Sequence, residues 1–165
     1  MFKWILAAAA AVLLVVFIIW QVNSVKTSYV NGLDAYQGMQ DRQYIVERDC
    51  YIFKLKDRDT ELPLVADHEV ESALPPEVEQ KYVGADLPRV RILGIAHVGD
   101  RLKIASVRRE EGRKGTHLTL EMLFLDEDQR PYPRLDSDLI LDHGPEAQGK
   151  APQPLPIYLI EAVMH

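Results

Sequence analysis

Cysteine is almost absent: Cys50 stands alone, so no internal disulfide can form and neither redox compartment is excluded. The Leu-x-x-Cys box of a lipoprotein is also missing. A basic excess is lacking too, with 19 Lys and Arg against 25 Asp and Glu and a formal net charge of −6. Nucleic acid needs a basic face to displace its counterions, and anionic lipid needs one for broad docking, so the balance argues against both partners. The chain has no internal repeat and no calcium-loop glycine pattern, and nothing marks a nucleophile beside a histidine and an acid.

What the chain does have is one long apolar run, bracketed by its only two tryptophans, Trp4 and Trp20. At ~1.5 Å per helical residue the two indoles stand ~24 Å apart. That is close to the thickness of a bilayer core of ~30 Å, whose boundary indole rings favour. A cleaved signal has a shorter apolar region, followed by small residues. Here the small residues Ala7 to Ala11 come first and Phe17-Ile18-Ile19-Trp20 closes the run. Residues 1–23 therefore predict a single-pass signal-anchor helix that meets the lipid bilayer through residues 4–20. Lys3 outside one end and Lys26 beyond the other give a slight bias to a cytoplasmic N-terminus, with the C-terminal part periplasmic or otherwise extracytoplasmic.

Residues 24–43 read as a membrane-proximal helical extension or tether. Val22, Val25, Tyr29, Leu33 and Tyr36 recur at steps of three and four, and Gly38 is a natural stop. Tyr29, Leu33 and Tyr36 on that stripe form a candidate docking face for another membrane subunit.

Residues 44–165 suffice for one domain and predict a small mainly-β fold of six or seven strands with one short helix, as a barrel or sandwich. Tyr44 to Lys56 is rich in aromatic and β-branched residues. Leu62-Pro63-Leu64-Val65 is too short and proline-marked for a central strand. Leu74-Pro75-Pro76-Glu77 opens a helical turn that Gly84 ends. Arg89 to His97 and Arg101 to Arg109 read as a hairpin turning at Val98-Gly99-Asp100. Thr116 to Leu125 places Leu118, Leu120, Met122 and Phe124 on one side. Leu139-Ile140-Leu141 reads as a short strand, Pro152, Pro154 and Pro156 as polyproline II, and Ile157 to Val163 as a last strand pinned into the sheet.

The candidate metal ligands are Asp136, Asp138, Asp142 and His143: on one strand the three carboxylates would share a face, as a hard cation favours. They would also spread along the strand rather than converge, and charge there guards a sheet edge. The five histidines lack zinc spacing, although His97 and His117 flank strands and could approach one another. Asp67-His68 and Asp142-His143 point to opposite faces on a strand, so neither is a ready dyad. Cys50 reads as a buried apolar residue. The loop around Arg108, Arg109, Arg113 and Lys114 is the only basic concentration on an acidic domain and a candidate contact for an acidic partner surface.

Arg91-Ile92-Leu93-Gly94 with Gly99-Asp100-Arg101 is faintly similar to a stretch of type I signal peptidases, which also join an anchor to a β domain. Their Ser before Met is Gly38 here, in Gln37-Gly38-Met39, so membership is not assigned. No catalytic residue and no cofactor is expected. The expected function is a non-catalytic accessory, assembly or scaffolding subunit of a larger membrane complex. Its rival is an anchored extracytoplasmic enzyme or ligand-binding domain built on scattered Asp and His residues.

Overall fold

Alternating apolar residues set the architecture, and they do so most plainly in two long strands, Arg101–Gly112 and Gly115–Phe124. Leu118, Leu120, Met122 and Phe124 fall on one face of the second and are all buried, as their period of two requires. The computed structural model describes residues 11–17, 26–30, 36, 38–58, 61–112, 115–125, 132, 134–145 and 150–162. Among these the strands are β1 (Lys26–Tyr29), β2 (Gln43–Val46), β3 (Cys50–Leu55), β4 (Leu64–Ala66), β5 (Val90–Ala96), β6 (Arg101–Gly112) and β7 (Gly115–Phe124). After them come β8 (Leu135–Asp136), β9 (Leu141–Asp142), β10 (Gln153–Pro154) and β11 (Leu159–Glu161). The 3₁₀ turns among the described residues include Gln80–Tyr82 and Asp138–Ile140. The fold is mainly β as expected, with more and shorter strands than the six or seven read from the sequence.

The main sheet runs β11-β2-β6-β7-β8-β4-β3-β5, with β1 also on β6, and β9 and β10 form a separate pair. Among the described residues no ladder joins β5 to β11, so hydrogen bonds do not close a barrel. The sheet curls instead around one core. Tyr44, Phe53, Leu64, Val90, Ile104, Leu120, Leu135 and Leu159, from eight different strands, all lie in that core. Fully burying each such large apolar side chain contributes roughly 1.5–3 kcal/mol.

One irregularity matters for the site. Pairing of β6 with β7 shifts register between Ile104 and Ser106, so Ala105 is a bulge. Before it Leu102 and Ile104 face the core; after it Val107 does. The shift turns Ser106, Arg108 and Glu110 onto the opposite face, because one extra residue inverts a period of two.

Several elements differ from the sequence reading. The helical stripe over 24–43 is overturned where it is described. Lys26–Tyr29 is a strand, antiparallel to Arg108–Glu111. The open edge of β6 supplies backbone partners, and Thr27 and Tyr29 suit a strand. Val30 is buried and Tyr36 packs against the domain's own core. Leu33 lies outside the described residues.

The expected hairpin of Arg89–His97 with Arg101–Arg109 is an arch. Its turn forms, with Gly99 at φ +90°, yet β5 pairs with β3 while β6 pairs with β2 and β7. Val46 occupies the gap, donating to the Asp100 carbonyl and accepting from Gly99 N–H. β4 is an inner strand between β8 and β3, not an edge. Pro63 stops just short of it and costs no ladder donor, while its carbonyl accepts from Asp136 N–H. Leu139 and Ile140 belong to a 3₁₀ turn rather than a strand. The C-terminal strand is pinned as expected, by β11 on β2.

Residues 11–17 are helical, and all are exposed. Trp4 and Trp20 lie outside the described residues. Among the described residues no helix is long and apolar enough to cross a membrane.

Candidate functional site

The bulge at Ala105 gives the β1-β6-β7-β8 region a polar face behind the core. Register aligns Tyr29 with Arg108, Arg108 with Thr119, Ser106 and Asp136 with Glu121, and Glu110 with His117. Two clusters divide this face.

The first is closed. Arg108 is only 8% exposed. Its guanidinium pairs with Asp136, lies 3.6 Å from Glu121 and approaches Glu110 at 3.3 Å. Glu121 is 1% exposed. It accepts from Ser106 Oγ at 2.5 Å, from Tyr29 at 3.3 Å and from Arg134 at 3.3 Å. Asp136 also accepts the Asp138 N–H at 2.9 Å. Burial pushes the Asp136 carboxyl above its ordinary range, opposed by that N–H and by the Arg108 charge. Each buried charge here has a counter-charge, as the interior demands.

The second cluster is open. His117 lies on β7, Asp138 begins the 3₁₀ turn and His143 follows β9. Ligand atoms of the three lie within 4.8 Å of one another. The His117 and His143 Nε2 atoms stand 2.7 and 3.3 Å from Asp138 Oδ1. The rings stack at 4.3 Å between centroids, inclined by 15°. Asp138 Oδ1 is itself buried, yet it accepts no hydrogen bond of good geometry. The His117 side chain is 48% exposed, so the cluster is reachable from solvent.

Of the four carboxylate and histidine ligands named from sequence, the structure brings Asp138 and His143 together and adds His117. Asp136 is spent on Arg108, and Asp142 turns back to accept from Gly144 N–H at 2.9 Å. The 3₁₀ turn causes this split, because it ends the strand on which the three aspartates would have shared a face. His97 sits 3.6 Å from Asp49, and it is His143, not His97, that stacks on His117.

The basic loop is corrected in part. Arg108 lies on β6 in the buried network rather than on an exposed loop, while Arg109 is tied to Glu111 at 2.5 Å. Arg113 and Lys114 lie outside the described residues. Tyr29 is 59% exposed, but on a strand rather than a helix stripe.

A separate groove of about 460 Å³ is lined by Arg48, Asp67, His68, Glu69 and Glu77 among others. Arg48, Asp67 and Glu69 commit their charge to one another: Arg48 holds Glu69 through two bonds of 2.7 and 3.0 Å and meets Asp67 at 3.0 Å. Asp67 also accepts from Tyr158, and His68 Nδ1 contacts the Leu74 carbonyl at 2.5 Å. Cys50 is buried as expected, and desolvation, with the Asp67 charge adding, pushes its thiol up to about 12, which makes it inert.

No protein-family model matches the chain, and neither a curated protein nor a solved structure is significantly similar to it.

Proposed function

We propose that this chain is a single-pass, membrane-anchored β domain that acts as an accessory, assembly or scaffolding subunit of a larger membrane complex. The observation that carries the anchor is the helix at 11–17. Val12, Leu13, Leu14, Val15, Val16 and Phe17 are each more than half exposed, so the apolar surface runs all round. A helix apolar on every side needs lipid or protein around it, and the uninterrupted run from Trp4 to Trp20 has the length that lipid requires. The N-terminus is placed in the cytoplasm and the β domain outside it.

The accessory role rests on the β domain's committed charges. Arg48 in the groove and Arg108 in the buried network are each held by carboxylates. The rival, a ligand-binding domain, is favoured by the convergence of His117, Asp138 and His143.

Crosslinking in native membranes, with the product then run on a native gel in mild detergent, tests this reading. The expected result is a membrane-bound species larger than the 18.8 kDa chain that contains other integral subunits. Release by alkaline carbonate would overturn the anchor, and migration as a lone monomer would overturn the subunit role.

A further inference from the structure

We infer that His117, Asp138 and His143 form a binding site for one divalent transition cation of the zinc class. The inference goes beyond the anchored-subunit reading and does not depend on it.

Two regions of the chain, β7 and the segment 138–143, deliver three donors to one point. The strand β7 carries His117, the 3₁₀ turn carries Asp138, and the loop after β9 carries His143. His117 Nε2 lies 2.7 Å from Asp138 Oδ1, and His143 Nε2 lies 3.3 Å from that oxygen and also contacts the Asp138 backbone carbonyl at 3.3 Å. Bonds of ~2.0–2.2 Å to a tetrahedral ion set neighbouring donors roughly 3–3.5 Å apart, close to the spacing seen. Asp138 Oδ1 is buried without a hydrogen bond, and a buried acceptor in that state costs free energy that a cation would offset.

Donor chemistry selects the ion. Two imidazole nitrogens and one carboxylate suit zinc and its first-row neighbours, whereas calcium and magnesium prefer oxygen alone. Among the described residues only three protein donors converge, which leaves a position for water or an exogenous ligand. Loading requires one movement. The ring planes lie within 15° of each other and no hydrogen bond is aimed at Asp138 Oδ1, so the rings must turn for their Nε2 lone pairs to converge on an ion. His117, about half exposed, has room to turn.

Asp136 and Asp142 are not ligands in this assignment, because each is held by another group. That gives an internal control.

The test uses the full chain, purified without a histidine tag in mild detergent and stripped of metal. Zinc chloride is titrated calorimetrically, and cobalt chloride is followed by visible absorption. About one ion per chain is expected, with cobalt bands of a low-coordinate nitrogen and oxygen site. His117→Gln, His143→Gln and Asp138→Asn should each weaken binding by more than about tenfold, the loss that changes even to outer-shell partners reach. Asp142→Asn should leave it unchanged. Circular dichroism of the metal-free variants separates lost ligands from lost fold, and the exposed His117→Gln variant keeps the test valid if Asp138→Asn unfolds. Absence of binding at micromolar free zinc would overturn the site, as would equal affinity in His117→Gln and His143→Gln proteins that remain folded.

Discussion

Two clusters of charged and polar side chains share one face of the same sheet, yet they are built to opposite ends. Around Arg108 each buried charge meets a partner, and Glu121 gathers Ser106, Tyr29 and Arg134. Two residues along β7 from Thr119, His117 meets Asp138 and His143 at the surface, and the shared carboxylate oxygen is left without a proper donor. The first arrangement neutralises its charges within the fold, although Arg108 Nε, like Asp138 Oδ1, makes no hydrogen bond. The second gathers two imidazoles around one carboxylate oxygen that accepts no hydrogen bond. Neighbouring polar groups can thus be separated into structural and functional ones by asking where each lone pair and each proton goes.

The largest expected effect comes from breaking the closed cluster. Arg108→Met leaves Asp136 and much of Glu121 as uncompensated buried charge and should cost about 3–5 kcal/mol. Adding Asp136→Leu removes one stranded charge, and the double variant should recover about 1–3 kcal/mol of that loss. Denaturant unfolding of the full chain in detergent measures both. If Arg108→Met were nearly neutral, the network would be a surface feature and the contrast between the two clusters would collapse.

A smaller effect is expected at Tyr29, where the closed cluster reaches its rim. Tyr29→Phe removes one donor to Glu121 at 3.3 Å, partly open to solvent, and should cost at most about 1 kcal/mol. The Glu121 charge holds the Tyr29 phenol above its ordinary value near 10, with burial and the hydrogen bond to Glu121 adding to it. The folded state thus keeps this proton more tightly than the unfolded chain does. The contribution is fully present below pH ~10 and is lost as pH rises through the higher folded value. Unfolding followed at pH 8 and again above pH 10 should show this extra alkaline loss in the parent chain and not in the phenylalanine variant.

The sequence made parts of this contrast legible. The alternation from Leu118 to Phe124 marked β7 and its buried side, and the glycines at 112 and 115 flanked the turn of the long hairpin. The change of parity between Ile104 and Val107 was also visible, and it was the signal for the bulge that moves Arg108 to the polar face. Read without the bulge, Arg108 is a loop cation. The β1 strand was hidden because Val25, Tyr29, Leu33 and Tyr36 fit a helical period as well, and only the free edge of β6 decides for a strand. His117 could not be joined to Asp138 and His143, since β7 and the segment that follows β8 meet only through tertiary structure. The three-aspartate alignment failed for a local reason: a single 3₁₀ turn sends Asp136, Asp138 and Asp142 to three different partners.

The smallest effect is expected at the open cluster when no metal is present. His117 contributes a half-exposed ring stacked on His143 and an approach to Asp138 that solvent screens. His117→Ala in metal-free protein should therefore shift stability by no more than about 0.5 kcal/mol, the range of ordinary surface substitutions. The same unfolding experiment repeated with zinc sharpens the point, because an ion bound only by the folded chain stabilises it in proportion to the logarithm of its concentration over Kd. The parent protein should then gain stability with added zinc while His117→Ala does not. A histidine that matters little to the empty fold and decides the response to metal is a ligand. One whose loss destabilises both states equally would belong with Arg108, as part of the scaffold.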